Sequence, residues 1–138
     1  MKAIDVMSRD VCLASPDQPI KEAAQMMSER DIGALPVGEN DRLVGMITDR
    51  DIAIRGVAKG KGPKAKVREV MSKEVKYCFE DEDLDHICRN MAELQMRRLP
   101  VLNRDKRLVG ILSLGDLAVK HASAEASTAL EGISQPAS

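Results

Sequence analysis

Leu43-Val44-Gly45-Met46-Ile47-Thr48-Asp49-Arg50-Asp51-Ile52-Ala53 returns near the end of the chain as Leu108-Val109-Gly110-Ile111-Leu112-Ser113-Leu114-Gly115-Asp116-Leu117-Ala118. Both read Leu-Val-Gly, two apolar residues, a hydroxyl residue, two variable residues, Asp, an apolar residue, Ala. The repetition extends outward. Val6-Met7-Ser8 returns as Val70-Met71-Ser72, and Leu35-Pro36-Val37 as Leu99-Pro100-Val101, at a constant spacing of 64 residues. One residue is added before Leu108. A repeat of this kind decides the architecture before any single element does. It divides the chain into a first repeat at 1–56, a basic Gly-rich linker at 57–66, a second repeat at 67–121 and a loose or partly helical tail at 122–138.

A unit of this size buries only about 60% of its unfolded surface and is marginal alone, so the two copies are expected to pack on each other. Apolar residues make up 43% of the 138-residue chain and charged residues 31%, with a net charge of −1. That is an ordinary globular composition, and the charge balance makes no case for a nucleic-acid binder. Tyr77 and Phe79 are the only aromatics, so the core is aliphatic and Met-rich, and stacking of a base between two rings is not expected. No apolar run approaches the ~20 residues of a membrane-spanning helix, and no signal-peptide pattern opens the sequence. The expected compartment is the cytoplasm.

Within the first copy, residues 11–14 read as a short strand broken by Ser15-Pro16-Asp17. Ile20, Ala23, Ala24 and Met27 then carry the spacing of one buried helix face. Strands follow at 32–37 and 43–47. The proline of the former suits a strand end or edge, because it cannot donate to a ladder. A second helix runs from Thr48 to about Gly56. The second copy repeats the order: a first strand with Cys78, a helix with Leu84, Ile87, Cys88 and Met91 on its buried face, strands at 96–102 and 108–112, and a last helix at 113–121. The fold class is α/β in the mixed, α+β sense, two pseudo-symmetric β-α-β-β-α repeats.

Thr48-x-x-Asp51 and Ser113-x-x-Asp116 are the chemically suggestive pairs. A hydroxyl residue followed three positions later by an acid closes a helix N-terminus as a capping box. The same turn offers free N–H groups and a partial positive charge suited to phosphate, and an Asp one turn in can accept two hydrogen bonds from a ribose diol. Both readings fit.

Two such units in tandem, each with a Val-Met-Ser entry, a Leu-Pro-Val strand and a Gly-apolar-apolar-Thr/Ser-x-x-Asp ending, resemble a stand-alone pair of cystathionine-beta-synthase (CBS) domains. The resemblance covers about residues 3–121. It implies a compact module with two clefts between the repeats that take adenine nucleotides: AMP foremost, with ADP, ATP, NAD(H) or S-adenosylmethionine as further options. By the same resemblance Asp51 and Asp116 hold ribose hydroxyls, and Thr48 and Ser113 lie near ribose or phosphate. Gly33-Ala34-Leu35 and Arg97-Arg98-Leu99 would line base or phosphate. A flat homodimer and a separate effector protein are also implied.

Arg97 and Arg98 are the best basic candidates for phosphate, since a guanidinium fork matches its oxygens. Arg50 is a further one. The first copy has Gly33 and Ala34 where the second has the arginines, and Gly115 stands where the first has Arg50, so the two clefts are not equivalent. Cys12, Cys78, Cys88, His86 and His121 match no common metal-ligand spacing, and no metal is expected. No Walker lysine follows a Gly-rich loop and no nucleophile–base pair stands out. The expectation is therefore a regulatory binding module, not an enzyme. The alternatives are a ligand-free dimerisation module and, behind it, a nucleotide hydrolase.

Overall fold

The computed structural model describes residues 1–94 and 98–113. Its contacts divide into two compact units, one of Cys12–Val75 and one of Met1–Val11 with the chain from Lys76 onward. The units therefore do not follow the sequence repeats. Each repeat gives its Val-Met-Ser entry to the unit built around the other repeat.

In the unit Cys12–Val75, helix α2 (Ile20–Arg30) is followed by strands β1 (Ala34–Glu39) and β2 (Arg42–Thr48); α1 (Ala3–Val6) belongs to the other unit. α2 buries Ile20, Ala23 and Met27 against Leu35, Val37 and Ile47 of the sheet. It ends where Asp31 turns left-handed (φ 52°) and the Ile32 N–H returns to the Met27 carbonyl at 3.0 Å, a C-cap geometry that glycine usually supplies.

β1 and β2 pair antiparallel, with Ala34 opposite Thr48 and Pro36 opposite Met46. The strand expected at 11–14 is reduced to one parallel bridge, Ala14 to Val37. Proline is the reason. The Ala14 N–H donates to the Pro36 carbonyl and the Gly38 N–H to the Ala14 carbonyl. The next bond of a parallel ladder would need an N–H that Pro36 lacks.

The same rule governs the other unit. There β3 (Cys78–Phe79) pairs parallel with β4 (Arg98–Leu102) from Cys78 opposite Val101, and Pro100 ends the ladder on the other side. β4 pairs antiparallel with β5 (Leu108–Ser113). α4 (Leu84–Leu94) buries Leu84, Ile87, Cys88 and Met91 with Ala3, Val6 and Met7.

Main-chain bonds close the exchange. Ser8 and Ile111 swap N–H···O bonds of 2.8 and 2.9 Å, as Ser72 and Met46 do in the other unit. The glycine of each Leu-Val-Gly is required by this closure. A Cβ on Gly110 would lie 2.6 Å from Met7 Sδ and 2.8 Å from the Ser8 carbonyl oxygen. One on Gly45 would lie 2.6 Å from Met71 Sδ and 2.9 Å from the Ser72 oxygen.

The exchanged segments also satisfy helix ends, whose first N–H groups have no partner inside the helix. Pro19 offers α2 no side-chain cap, but the Ile20 and Lys21 N–H groups donate to the carbonyls of Ala65 and Pro63. The Leu84 N–H of α4 donates to the Met1 carbonyl. Residues 57–66 are thus not a plain linker. Val57–Lys59 continue the preceding helix as a 3-10 turn, and Lys66 bridges to Pro19. The linker's basic charge is partly paired, Lys61 with Glu69 at 3.2 Å and Lys66 with Asp17 at 3.7 Å. The last expected helix and the tail lie outside the described residues.

Candidate functional site

At the end of β2 the chain turns at Thr48 into α3 (Asp49–Asp51), which runs on as a π-helical turn at Ile52–Gly56. The two-way capping box is formed. The Asp51 N–H donates to Thr48 Oγ1 at 3.0 Å, and the Thr48 N–H donates to Asp51 Oδ2 at 3.0 Å. Asp51 Oδ1 faces Arg55 Nε at 3.9 Å, and its side chain is 17% exposed. A carboxylate offers about four lone-pair sites, so Asp51 keeps acceptor capacity.

The structure brings the first-copy candidates together. Ala34 is the register partner of Thr48, and the Gly33 carbonyl accepts the Asp49 N–H at 2.9 Å. Gly33 also lies under the Asp49 carboxylate, 3.0 Å from where its Cβ would stand. Leu35 differs from the other candidates: its side chain is fully buried in the core, so only its main chain can face a ligand. Arg50 is exposed at the first turn, its N–H bonded to Asp49 Oδ1.

In the other unit Arg98 is exposed and opposite Ser113, and Leu99 is buried opposite Leu112. Arg97 and Asp116 lie outside the described residues, so the second capping box is not defined.

A cavity that the sequence reading did not single out lies in this unit. It measures about 300 Å³ and is walled by Lys76, Tyr77, Cys78, Ile87, Asn90, Met91 and Leu99. Burial, with the Glu82 charge adding to it, pushes the Cys78 thiol up to about 12, so it stays neutral and unreactive at neutral pH.

A family model for the CBS domain matches residues 3–56 and 67–121. The chain belongs to the CBS-domain family. The CBS domain-containing protein YhcV of Bacillus subtilis is 45% identical over 131 residues, covering 94% of this chain and 93% of that protein. A crystal structure of Hypoxic Response Protein I with two coordinated zinc ions is 40% identical, with a TM-score of 0.77 over 88% of this chain and 98% of that one. The CBS domain pair of protein MJ0100, solved in complex with 5′-methylthioadenosine and S-adenosyl-L-methionine, is 29% identical, with a TM-score of 0.74 over 88% of this chain and 96% of that one.

The α+β tandem architecture is thus that of a CBS pair. Among the described residues no group of three or more His, Cys, Asp or Glu side chains is gathered as a metal would need. His121 lies outside them. No helix of the described residues is long and apolar enough to cross a membrane.

Proposed function

We propose that this CBS pair is a regulatory module that binds an adenosine-bearing ligand, with AMP foremost among AMP, ADP, ATP, NAD(H) and S-adenosylmethionine. Asp51 and Asp116 take the ribose diol and Thr48 and Ser113 lie beside it. The main chain at Gly33 and Ala34 closes one site. In the other, Arg97 and Arg98 meet phosphate. Ligand binding shifts the packing of the repeats or of a homodimer, and a separate effector protein reads the change. A ligand can shift such an equilibrium only as far as its affinities for the two states differ.

The observation that carries this reading is the strand-to-helix turn at Thr48, where the partly exposed Asp51 carboxylate keeps spare acceptor capacity and the Asp49 N–H ties the turn to the Gly33 carbonyl. The MJ0100 pair, of the same fold, has adenosyl ligands, which supports an adenosine rather than a bare phosphate as the recognised group. A second reading, a ligand-free dimerisation module, is favoured by one fact: the reciprocal Thr48 and Asp51 bonds give both residues a complete structural role.

Thermal stability measured against AMP, ADP, ATP, NAD, NADH, S-adenosylmethionine and 5′-methylthioadenosine decides between them. A ligand of the native state adds RT ln(1 + [L]/Kd), about 2.7 kcal/mol at a hundredfold excess. Asp116→Ala is expected to remove about 1.5–3 kcal/mol of binding, the range for hydrogen bonds to a charged group. No shift with any of the seven overturns the binding reading and leaves the structural module.

A further inference from the structure

We infer that residues 55–68 form a docking surface for an acidic protein segment, rich in Asp and Glu, gripped by lysine side chains and an open stretch of main chain. This deepens one part of the proposed function, the separate effector protein, by naming that partner's chemistry. It rests on the effector and not on adenosine binding, so the two readings fail separately.

Charge distribution comes first. Arg55, Lys59, Lys61, Lys64, Lys66 and Arg68 fall in one run that holds no Asp or Glu. The rest of the unit Cys12–Val75 carries ten acids against five bases. Like charges gathered in this way repel one another and oppose compaction. The fold answers only some of them. Lys61 meets Glu69 at 3.2 Å, Arg68 and Lys66 share Asp17 at 2.8 and 3.7 Å, and Arg55 lies 3.9 Å from Asp51. Lys59 and Lys64 are exposed and, among the described residues, pair with no acid.

The run is also held in place. The Val67 and Arg68 N–H groups donate to the carbonyls of Gln18 and Pro16 at 2.8 and 2.9 Å. In return the Ile20 and Lys21 N–H groups donate to Ala65 and Pro63 at 2.8 and 3.1 Å. Cations carried on a pinned backbone lose less freedom on binding than cations on a loose loop.

Main chain is open beside the free lysines. Gly60 is left-handed at φ 78°, which accounts for its glycine. Gly62 is not, and a Cβ there would meet nothing within 4 Å. Neither backbone conformation nor packing requires glycine at 62, and the missing side chain lets another chain come close. Among the described residues the Gly62 and Lys64 N–H groups have no partner, and both can donate to a carboxylate.

An acidic peptide fits this surface better than a nucleic acid. The unit Cys12–Val75 has no aromatic residue on which a base could stack. The run is built mainly of lysine, whereas arginine has the fork that matches phosphate. A long polyanion leaving the run meets the acids that dominate the rest of the unit, and a short acidic segment does not.

Fluorescence anisotropy on the full chain, without nucleotide and at low salt, compares labelled oligoglutamate with oligouridylate of equal length. Lys59→Glu with Lys64→Glu reverses the two unpaired cations and breaks none of these ion pairs. Arg9→Glu with Lys106→Glu, both exposed in the other unit, changes the net charge equally and serves as the control. Expected are saturable oligoglutamate binding that weakens as salt is raised, a loss of about tenfold or more in the Lys59 and Lys64 double variant, and less than about twofold in the control. Absence of oligoglutamate binding, or an equal loss in both double variants, overturns the proposal. Tighter binding of oligouridylate, with the same dependence on Lys59 and Lys64, also overturns it and marks a nucleic-acid surface instead. None of these outcomes touches the adenosine reading, which stands or falls on the ligand panel above.

Discussion

The carbonyl oxygen of Ser8 stands 2.8 Å from the place where a Cβ on Gly110 would lie. Ser8 belongs to the first repeat and Gly110 to the second, and the Ser8 main chain is bonded both ways to Ile111. An added methyl group cannot be absorbed by moving the Met7 side chain alone, because the second obstacle is backbone. Gly110→Ala should cost about 1–3 kcal/mol, the usual penalty of overpacking, and Gly45→Ala a similar amount against Ser72. Chemical denaturation measures both. Combining Gly110→Ala with Met7→Ala should recover only part of the loss and be non-additive, as residues in contact are.

Thr48 and Asp51 cap each other, so each has a stability role that any ligand role must be separated from. Thr48→Ala should cost about 1 kcal/mol, the usual worth of an N-cap, and Thr48→Ser much less. Asp51→Asn should lose part of the cap, and the double variant should fall short of the sum. The same variants measured with saturating AMP distinguish the roles. A structural cap changes the midpoint equally with and without ligand, whereas a ribose contact reduces the shift that the ligand brings.

Asp31 ends α2 in the left-handed region, with φ at 52°. A side chain strains this conformation and glycine does not. Asp31→Gly should stabilise the protein by about 0.5–1 kcal/mol, partly offset by the greater freedom of glycine in the unfolded chain. A fall in the thermal midpoint would show that the carboxylate has a role at the helix end that outweighs the strain.

The Arg104 guanidinium holds the Asp81 carboxyl below its usual value of 3.8. A carboxyl group with a lowered pKa stabilises the fold above its unfolded value, and that contribution disappears as pH falls through the lower folded value. Asp17, beside Arg68, and Glu69, bonded by the Lys66 N–H and by Lys61, behave alike. The midpoint difference between wild type and Asp81→Asn should therefore be flat from pH 5 to 8, begin to shrink near about pH 4, the unfolded value, and disappear only as pH falls through the lower folded value. The ion pairs are exposed, so the difference should be small and shrink further in high salt. A large, salt-independent difference would contradict this account.

Much of the architecture was legible because hydrophobic period and turn chemistry are local. The buried faces of α2 and α4 follow from Ile20, Ala23 and Met27 and from Leu84, Ile87, Cys88 and Met91. The Thr48 cap follows from the spacing of two residue types. The weak first strand was legible in principle from Pro36, but only once the parallel pairing of Ala14 with Val37 is known does the missing N–H fall on a specific bond.

What the sequence by itself determined is the tandem CBS identity, the order of elements and the turn where Thr48 and Asp51 meet. All of these depend on neighbours a few residues apart or on a repeat that can be counted. Only the tertiary structure decided which repeat each Val-Met-Ser segment completes, why Gly45 and Gly110 must lack a side chain, and that Tyr77 and Asn90 wall one cavity. Those facts depend on main-chain bonds and packing between residues far apart in the chain. Two copies of one motif are equally compatible with closing on themselves or on each other, and nothing in their periodicity distinguishes the two.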